Sequence, residues 1–168
     1  MRGALPIDTD AVQYESAAEE NHVDVAARWN NSFGAVDIGL SHFLGTSRDP
    51  LLLPVSAAGV PVKLIPYYEQ IQQWGVDAQA ITGSWLWKLE SIYRKSDRDD
   101  FTALTTGFEY TFVGIFERAW DLGVLLEYSH DSRSAPIAGA LQDDVFVGGR
   151  FAFNDVDSSE ILFGVIPV

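Results

Sequence analysis

The chain carries three histidines, His22, His42 and His130, and one of them lies in a stretch that could support nucleophilic chemistry. Ser129-His130-Asp131-Ser132 sets a hydroxyl, an imidazole and a carboxylate close together. A Ser-His-Asp relay needs the imidazole beside both a serine and a carboxylate on a face that substrate can reach. The plainer reading of His130 is a histidine at the edge of a loop. A second candidate is Lys95-Ser-Asp-Arg-Asp-Asp, where Asp97, Asp99 and Asp100 resemble part of a calcium loop. Such a loop needs a glycine at its sharp turn and a bidentate glutamate at a set distance. Neither follows here, so a solvated turn is expected. Cysteine is absent, which excludes disulfides and thiolate metal sites. No phosphate loop, zinc motif or dinucleotide fingerprint is present, and no cofactor is expected.

The elements that would position these groups are strands. Apolar residues recur with period two, which places alternate side chains on opposite faces. Eight segments follow this rule: Val23–Trp29, Val36–Leu44, Ile71–Ala80, Trp85–Arg94, Phe101–Val113, Trp120–His130, Asp144–Asn154 and Ser159–Ile166. In the sixth, Leu122, Val124, Leu126 and Tyr128 oppose Asp121, Gly123, Leu125, Glu127 and Ser129. His42 and His130 fall on the apolar stripe. Pro50–Val62, with Pro50, Pro54, Gly59 and Pro61, reads as a loop, and residues 1–21 as an acidic segment before the first clear strand.

Three features of these strands favour a membrane over a soluble sandwich. Charge keeps to one face: Asp37, Asp77, Lys88, Glu90, Arg94, Glu109, Asp121, Glu127, Asp144, Arg150 and Glu160 all oppose the apolar stripe. That stripe is uniformly large, which suits lipid better than the limited interior of a small soluble barrel. Short turns (Asn30–Ala35, Ile81–Ser84, Gly114–Ala119, Asp155–Ser158) alternate with longer links (Gly45–Gln70, Lys95–Asp100, Asp131–Asp143), as in outer-membrane barrels. Aromatics bracket the turns (Trp29, Phe33, Trp85, Trp87, Phe112, Phe116, Trp120) and the links (Tyr67, Tyr68, Tyr93, Phe101, Tyr128), as interfacial girdles do. An open sheet leaves backbone groups unpaired in hydrocarbon, so a spanning sheet must close. The expected fold is therefore all-β, a single domain over 1–168 forming an antiparallel transmembrane β-barrel, or the central portion of a larger one.

Within that fold the charged face carries the candidate site: Lys88, Glu90, Glu109, Asp121, Glu127 and Arg150, with Asp77 and Arg94 on the same side. Two readings are open. The charges form a structural salt-bridge network that plugs the interior, or they line a pore that selects by charge. Gly39, Gly75, Gly107, Gly123, Gly148 and Gly164 leave room on this face, for bulky neighbours or for water.

Bulk properties narrow the partners. The net charge of -13 argues against nucleic acid, which requires a basic face. No uninterrupted apolar run is long enough for a transmembrane helix. The N-terminus Met-Arg-Gly-Ala-Leu-Pro-Ile-Asp has no apolar core of a signal peptide.

The segments Ala35-Val-Asp-Ile-Gly-Leu-Ser-His-Phe, Trp85-Leu-Trp-Lys-Leu-Glu, Gly107-Phe-Glu-Tyr-Thr-Phe and Leu122-Gly-Val-Leu-Leu-Glu-Tyr resemble strands of porin-like Gram-negative outer-membrane barrels. The resemblance is architectural and covers about residues 22 to 166. It implies residence in the bacterial outer membrane, contact with its lipid, insertion by the barrel-assembly machinery, and passage of small polar or cationic solutes. Such barrels usually end on an aromatic residue, whereas this chain ends Ile166-Pro167-Val168. With the absent leader, that leads to the expectation of a piece of a longer barrel that folds poorly alone, as a sheet with unpaired edges. An outer-membrane lipase or protease, and a soluble lipocalin-like barrel with the faces reversed, are the alternative functions.

Overall fold

The computed structural model describes residues 5–133 and 142–166. In chain order the strands are β1 (Gln13–Tyr14), β2 (Val25–Phe33), β3 (Val36–Thr46), β4 (Leu51–Ala57), β5 (Val60–Tyr68), β6 (Gln70–Thr82), β7 (Trp85–Lys95), β8 (Asp100–Ile115), β9 (Trp120–Asp131), β10 (Asp143–Ala152) and β11 (Glu160–Val165). One 3-10 turn, Glu19–Asn21, stands between β1 and β2. The fold is all-β. An eight-stranded sheet runs in the order β11-β10-β9-β8-β7-β6-β3-β2, and a three-stranded sheet in the order β1-β5-β4. The eight strands expected from periodicity are the eight strands of the large sheet. That sheet ends on β11 and β2, both exposed along their whole length.

The chain divides into two compact units: Met1–Ala27, His42–Gln73 and Arg94–Asp100 in the first; Arg28–Ser41, Trp74–Tyr93 and Phe101–Val168 in the second. In the second, β8 to β11 pair antiparallel in unbroken succession. Registers such as Gly107↔Glu127, Gly123↔Arg150 and Gly148↔Gly164 put the charged-face residues of neighbouring strands side by side. Phe101 is the one buried large apolar side chain described in this unit. By contrast Val124 and Leu126 are each 36% exposed and Val147 40%. Gly39, Gly75, Gly123 and Gly148, on the opposite face, are buried.

The first unit holds the main departure from the sequence expectation. Pro50–Val62 is not a loop: it supplies β4 and the start of β5, an antiparallel hairpin. Ala58 (φ 49°) and Gly59 (φ 80°) form its two-residue turn, and two consecutive positive φ angles are the mark of type I′. Its prolines sit where a missing N–H costs nothing. Leu64 directs both its N–H and its C=O away from β4, so its partner Pro54 faces the outer edge of β4. Pro61 pairs with Ser56 beside a register shift, the irregularity at which a strand tolerates proline. The acidic segment expected before the first clear strand also contributes a short strand of its own, β1, which pairs parallel with β5.

Other boundaries moved less. The first long-sheet strand runs to Phe33, which shrinks the expected turn Asn30–Ala35 to Gly34–Ala35. Lys95–Asp100 is not a long link, since only residues 96–99 separate β7 from β8, the same span as 116–119 between β8 and β9. Ser96 closes it: its hydroxyl accepts from the N–H groups of Arg98 and Asp99 and donates to the Asp99 carbonyl. Most of the Asp131–Asp143 link, and the terminal Pro167 and Val168, lie outside the described residues.

Candidate functional site

The charged face of the second unit is built from small and large residues on neighbouring strands. At Gly39, Gly75, Gly107, Gly123, Gly148 and Gly164 an added Cβ would come closer than 3.0 Å to an existing atom. The obstructing side chains are Arg28 and Asp77 at Gly39, Ser41 at Gly75, Glu127 at Gly107, Glu109 at Gly123, and Phe146 at both Gly148 and Gly164. The glycines therefore make room for bulky neighbours, one of the two uses expected from sequence. These side chains occupy the space that a Cβ at each glycine would fill.

The six charges singled out from the sequence fall into four settings. Lys88 and Glu90 line hollows that also take in Asp37, Asp77, Ala78 and Gln79. A neighbouring hollow of about 330 Å³ includes Arg28, Ser41, Asp77 and Glu90. Glu109 and Arg150 approach at 4.0 Å, and Arg150 also reaches Glu160 at 3.6 Å. Asp121 and Glu127 do neither. Asp121 accepts from the Gly114 N–H at 3.0 Å and the Asn154 side-chain amide at 2.9 Å, which ties two turns together. Glu127 lays its stem over Gly107.

Arg28, which is not among the six charges expected at the site, belongs to the same face. Its guanidinium donates to both carboxylate oxygens of Asp77, at 2.8 and 3.0 Å. The available signal was the alternation of Val23–Trp29, which sets Arg28 opposite Val25, Ala27 and Trp29.

The His130 cluster is not assembled as a relay. The His130 ring meets Asp143 at 2.6 Å, and the Tyr128 hydroxyl donates to the same carboxylate oxygen. Ser129 instead bonds the Thr105 hydroxyl, Ser132 accepts from the Thr102 N–H, and Asp131 is held by Arg133. Asp97, Asp99 and Asp100 belong to no group able to hold a metal among the described residues.

Aromatics gather on the apolar face of the second unit. Trp85 and Trp87 stack at 5.3 Å, and Trp85 meets Phe108 and Tyr110 at 5.2 and 4.7 Å. Tyr110 continues to Phe112 at 4.6 Å. Trp120, Phe151 and Phe153 form a second cluster, with the Arg118 guanidinium 4.8 Å above the Trp120 ring. Trp85, Trp87, Phe112 and Trp120 are among the residues expected beside the short turns, and Phe108, Tyr110, Phe151 and Phe153 join them. The grouping expected near the links is not uniform. Phe101 is buried beneath the Arg133 guanidinium, because its place in the strand alternation puts it on the charged face. Tyr67 and Tyr68 belong to β5 in the small sheet, where Tyr68 stacks on Tyr14 and Tyr67 lies under Arg98.

Three carboxylates in the first unit have displaced acidities, and Asp8 is lowered chiefly by its hydrogen bond from Lys63. Asp24 accepts from the Thr46 N–H at 2.8 Å and also holds His22 and Arg48. The Thr46 bond, then His22, then Arg48, keep its carboxyl below the usual range. Glu69 is pushed up by burial, against the opposing pull of Arg98 at 3.6 Å.

No family model, curated protein or solved structure matches this chain.

Proposed function

We propose that the chain forms the wall of an outer-membrane-type β-barrel, with its apolar aromatic face toward lipid and its charged face toward an interior that passes small polar solutes, cations ahead of anions. The pattern of burial carries this reading. In the second unit many large apolar side chains of the stripe, Val124, Leu126 and Val147 among them, are exposed, while the glycines of the opposite face are covered by their neighbours. In water that arrangement forgoes the main driving force for folding, about 25 cal/mol per Å² of apolar surface. In hydrocarbon it forgoes nothing. Exposed Trp85, Trp87, Phe112 and Phe116 beside the short turns suit an interface, where an amphipathic ring is most stable. A soluble ligand-binding barrel needs these faces the other way round.

Four of the six site charges are acidic, Glu90, Glu109, Asp121 and Glu127 against Lys88 and Arg150, which supports a preference for cations. The test is reconstitution into a planar bilayer and measurement of reversal potential under a salt gradient. The intact protein should favour cations, and Glu109→Gln with Glu127→Gln should weaken that preference. Anion selectivity would remove these residues from a pore lining. Folding in buffer without detergent, as a stable monomer, would overturn the membrane reading altogether.

A further inference from the structure

The outer edge of β5 is occupied by the chain's own N-terminal segment, which is attached like a strap at two points. At the first, Leu64 donates to the Pro6 carbonyl at 2.9 Å and accepts from the Asp8 N–H at 2.8 Å. Lys63 adds an ion pair to Asp8 at 2.6 Å. At the second, Gln13 and Tyr14 pair parallel with Tyr67 and Tyr68, and the Glu15 N–H donates to the Tyr68 carbonyl. Tyr14 stacks on Tyr68 at 5.2 Å, and the Glu15 carboxylate accepts from the Gln70 N–H.

Between the two points the register slips. Ile7 pairs with Leu64 and Gln13 with Tyr67, so six steps along the strap match three along β5. Pro66 sits in this gap on the edge that Leu64 and Tyr68 present to the strap, and it has no N–H to offer. The strap thus pairs with β5 at its two ends.

The connection from strap to β2 is strained. Glu19 holds φ at +48° within the 3-10 turn, a conformation that costs a residue with a Cβ on the order of 1 kcal/mol or more. Straightening this hinge would release that strain, and strained hinges are the usual setting for exchange of an element between copies.

We infer that residues 6–15 are exchangeable, and that the outer edge of β5 accepts the same segment from a second copy of this chain. The occupant is set by the contacts themselves: a carboxylate opposite Lys63, a tyrosine over Tyr68 and a carboxylate at the Gln70 N–H. Every group that satisfies the edge within one chain would satisfy it equally between two. This inference is independent of the membrane reading.

Because the chain has no cysteine, the test can be made clean. One tagged full-length copy carries Ile7→Cys and a differently tagged copy carries Leu64→Cys, so neither can close an internal disulfide. Folded together and oxidised, they should give a covalent heterodimer well above the yield of a Val156→Cys donor, whose site is fully exposed. Lys63→Glu in the acceptor should lower the yield several-fold, and Asp8→Lys in the donor should restore it. The single-chain Ile7→Cys, Leu64→Cys double variant should form its internal disulfide, which shows that the substituted strap still seats. An internal disulfide with no heterodimer above the control would overturn exchange. So would a heterodimer yield indifferent to the charge reversals.

Discussion

The guanidinium of Arg28 and the carboxylate of Asp77 meet directly above Gly39, in the space a side chain there would fill. The pair is half-exposed, so its own contribution to stability is at most about 1 kcal/mol. The steric condition is the stronger one. Gly39→Val should drive Arg28 and Asp77 apart and cost about 1–3 kcal/mol, the usual range for overpacking. Asp77→Asn alone should cost less. Unfolding in urea, followed by tryptophan fluorescence, would measure both, and an unchanged midpoint for Gly39→Val would show that the face is not packed in this way.

The apolar face gives a depth test. If Phe108, Val124, Leu126 and Val147 look into hydrocarbon, an arginine at any of them should cost about 2–4 kcal/mol, against roughly 0–1 kcal/mol for Phe112→Arg beside the turn. The comparison is made by denaturant titration in lipid vesicles. Equal small costs at all five positions would mean that the face meets water, and equal large costs that it meets protein.

The long-sheet strands were legible because one physical rule, alternation, governs all of them. Leu122 to Tyr128 against Asp121 to Ser129 needs no partner to be read. The β4–β5 hairpin was not legible, because a proline breaks or spares a strand according to the edge it faces, and composition does not show that edge. Pro54 and Pro61 are tolerated by a free edge and a register shift, and neither is visible before pairing is known. Gly59 after Ala58 was the available turn signal. The site was half legible for a related reason. Alternation put Glu109 and Arg150 on the same face, but not the 4.0 Å approach across the intervening Gly123, which depends on register.

Opposite pH dependences are expected from two carboxylates of the first unit. Asp24 is held below its ordinary range by the Thr46 N–H, so its contribution is complete above that range and is lost as pH falls through its lowered pKa. Glu69 is raised by burial, so its contribution is complete below its ordinary range and is lost as pH rises through its raised pKa. Asp24→Asn should therefore flatten the acid limb of a stability profile, and Glu69→Gln should raise stability at neutral pH relative to the parent. Melting temperatures at a series of pH values would show both, and a neutral-pH loss in Glu69→Gln would mean that the Arg98 contact outweighs burial.

Selectivity should not be shared evenly among the six site charges. Asp121 is committed to the Gly114 N–H and to Asn154, and Glu109 to Arg150. Glu90 and Glu127 enter no ion pair among the described residues, so their charge is the less compensated. If ions pass this face, Glu90→Gln and Glu127→Gln should each shift the reversal potential toward zero, and the shift should shrink as salt screens the remaining charge. Asp121→Asn should leave the potential nearly unchanged and instead lower stability, by about 0.5–1.5 kcal/mol for each hydrogen bond it weakens. The reverse pattern, a large potential shift from Asp121→Asn and none from Glu90→Gln or Glu127→Gln, would place the ion path beside the turns and away from the hollow that Glu90 lines.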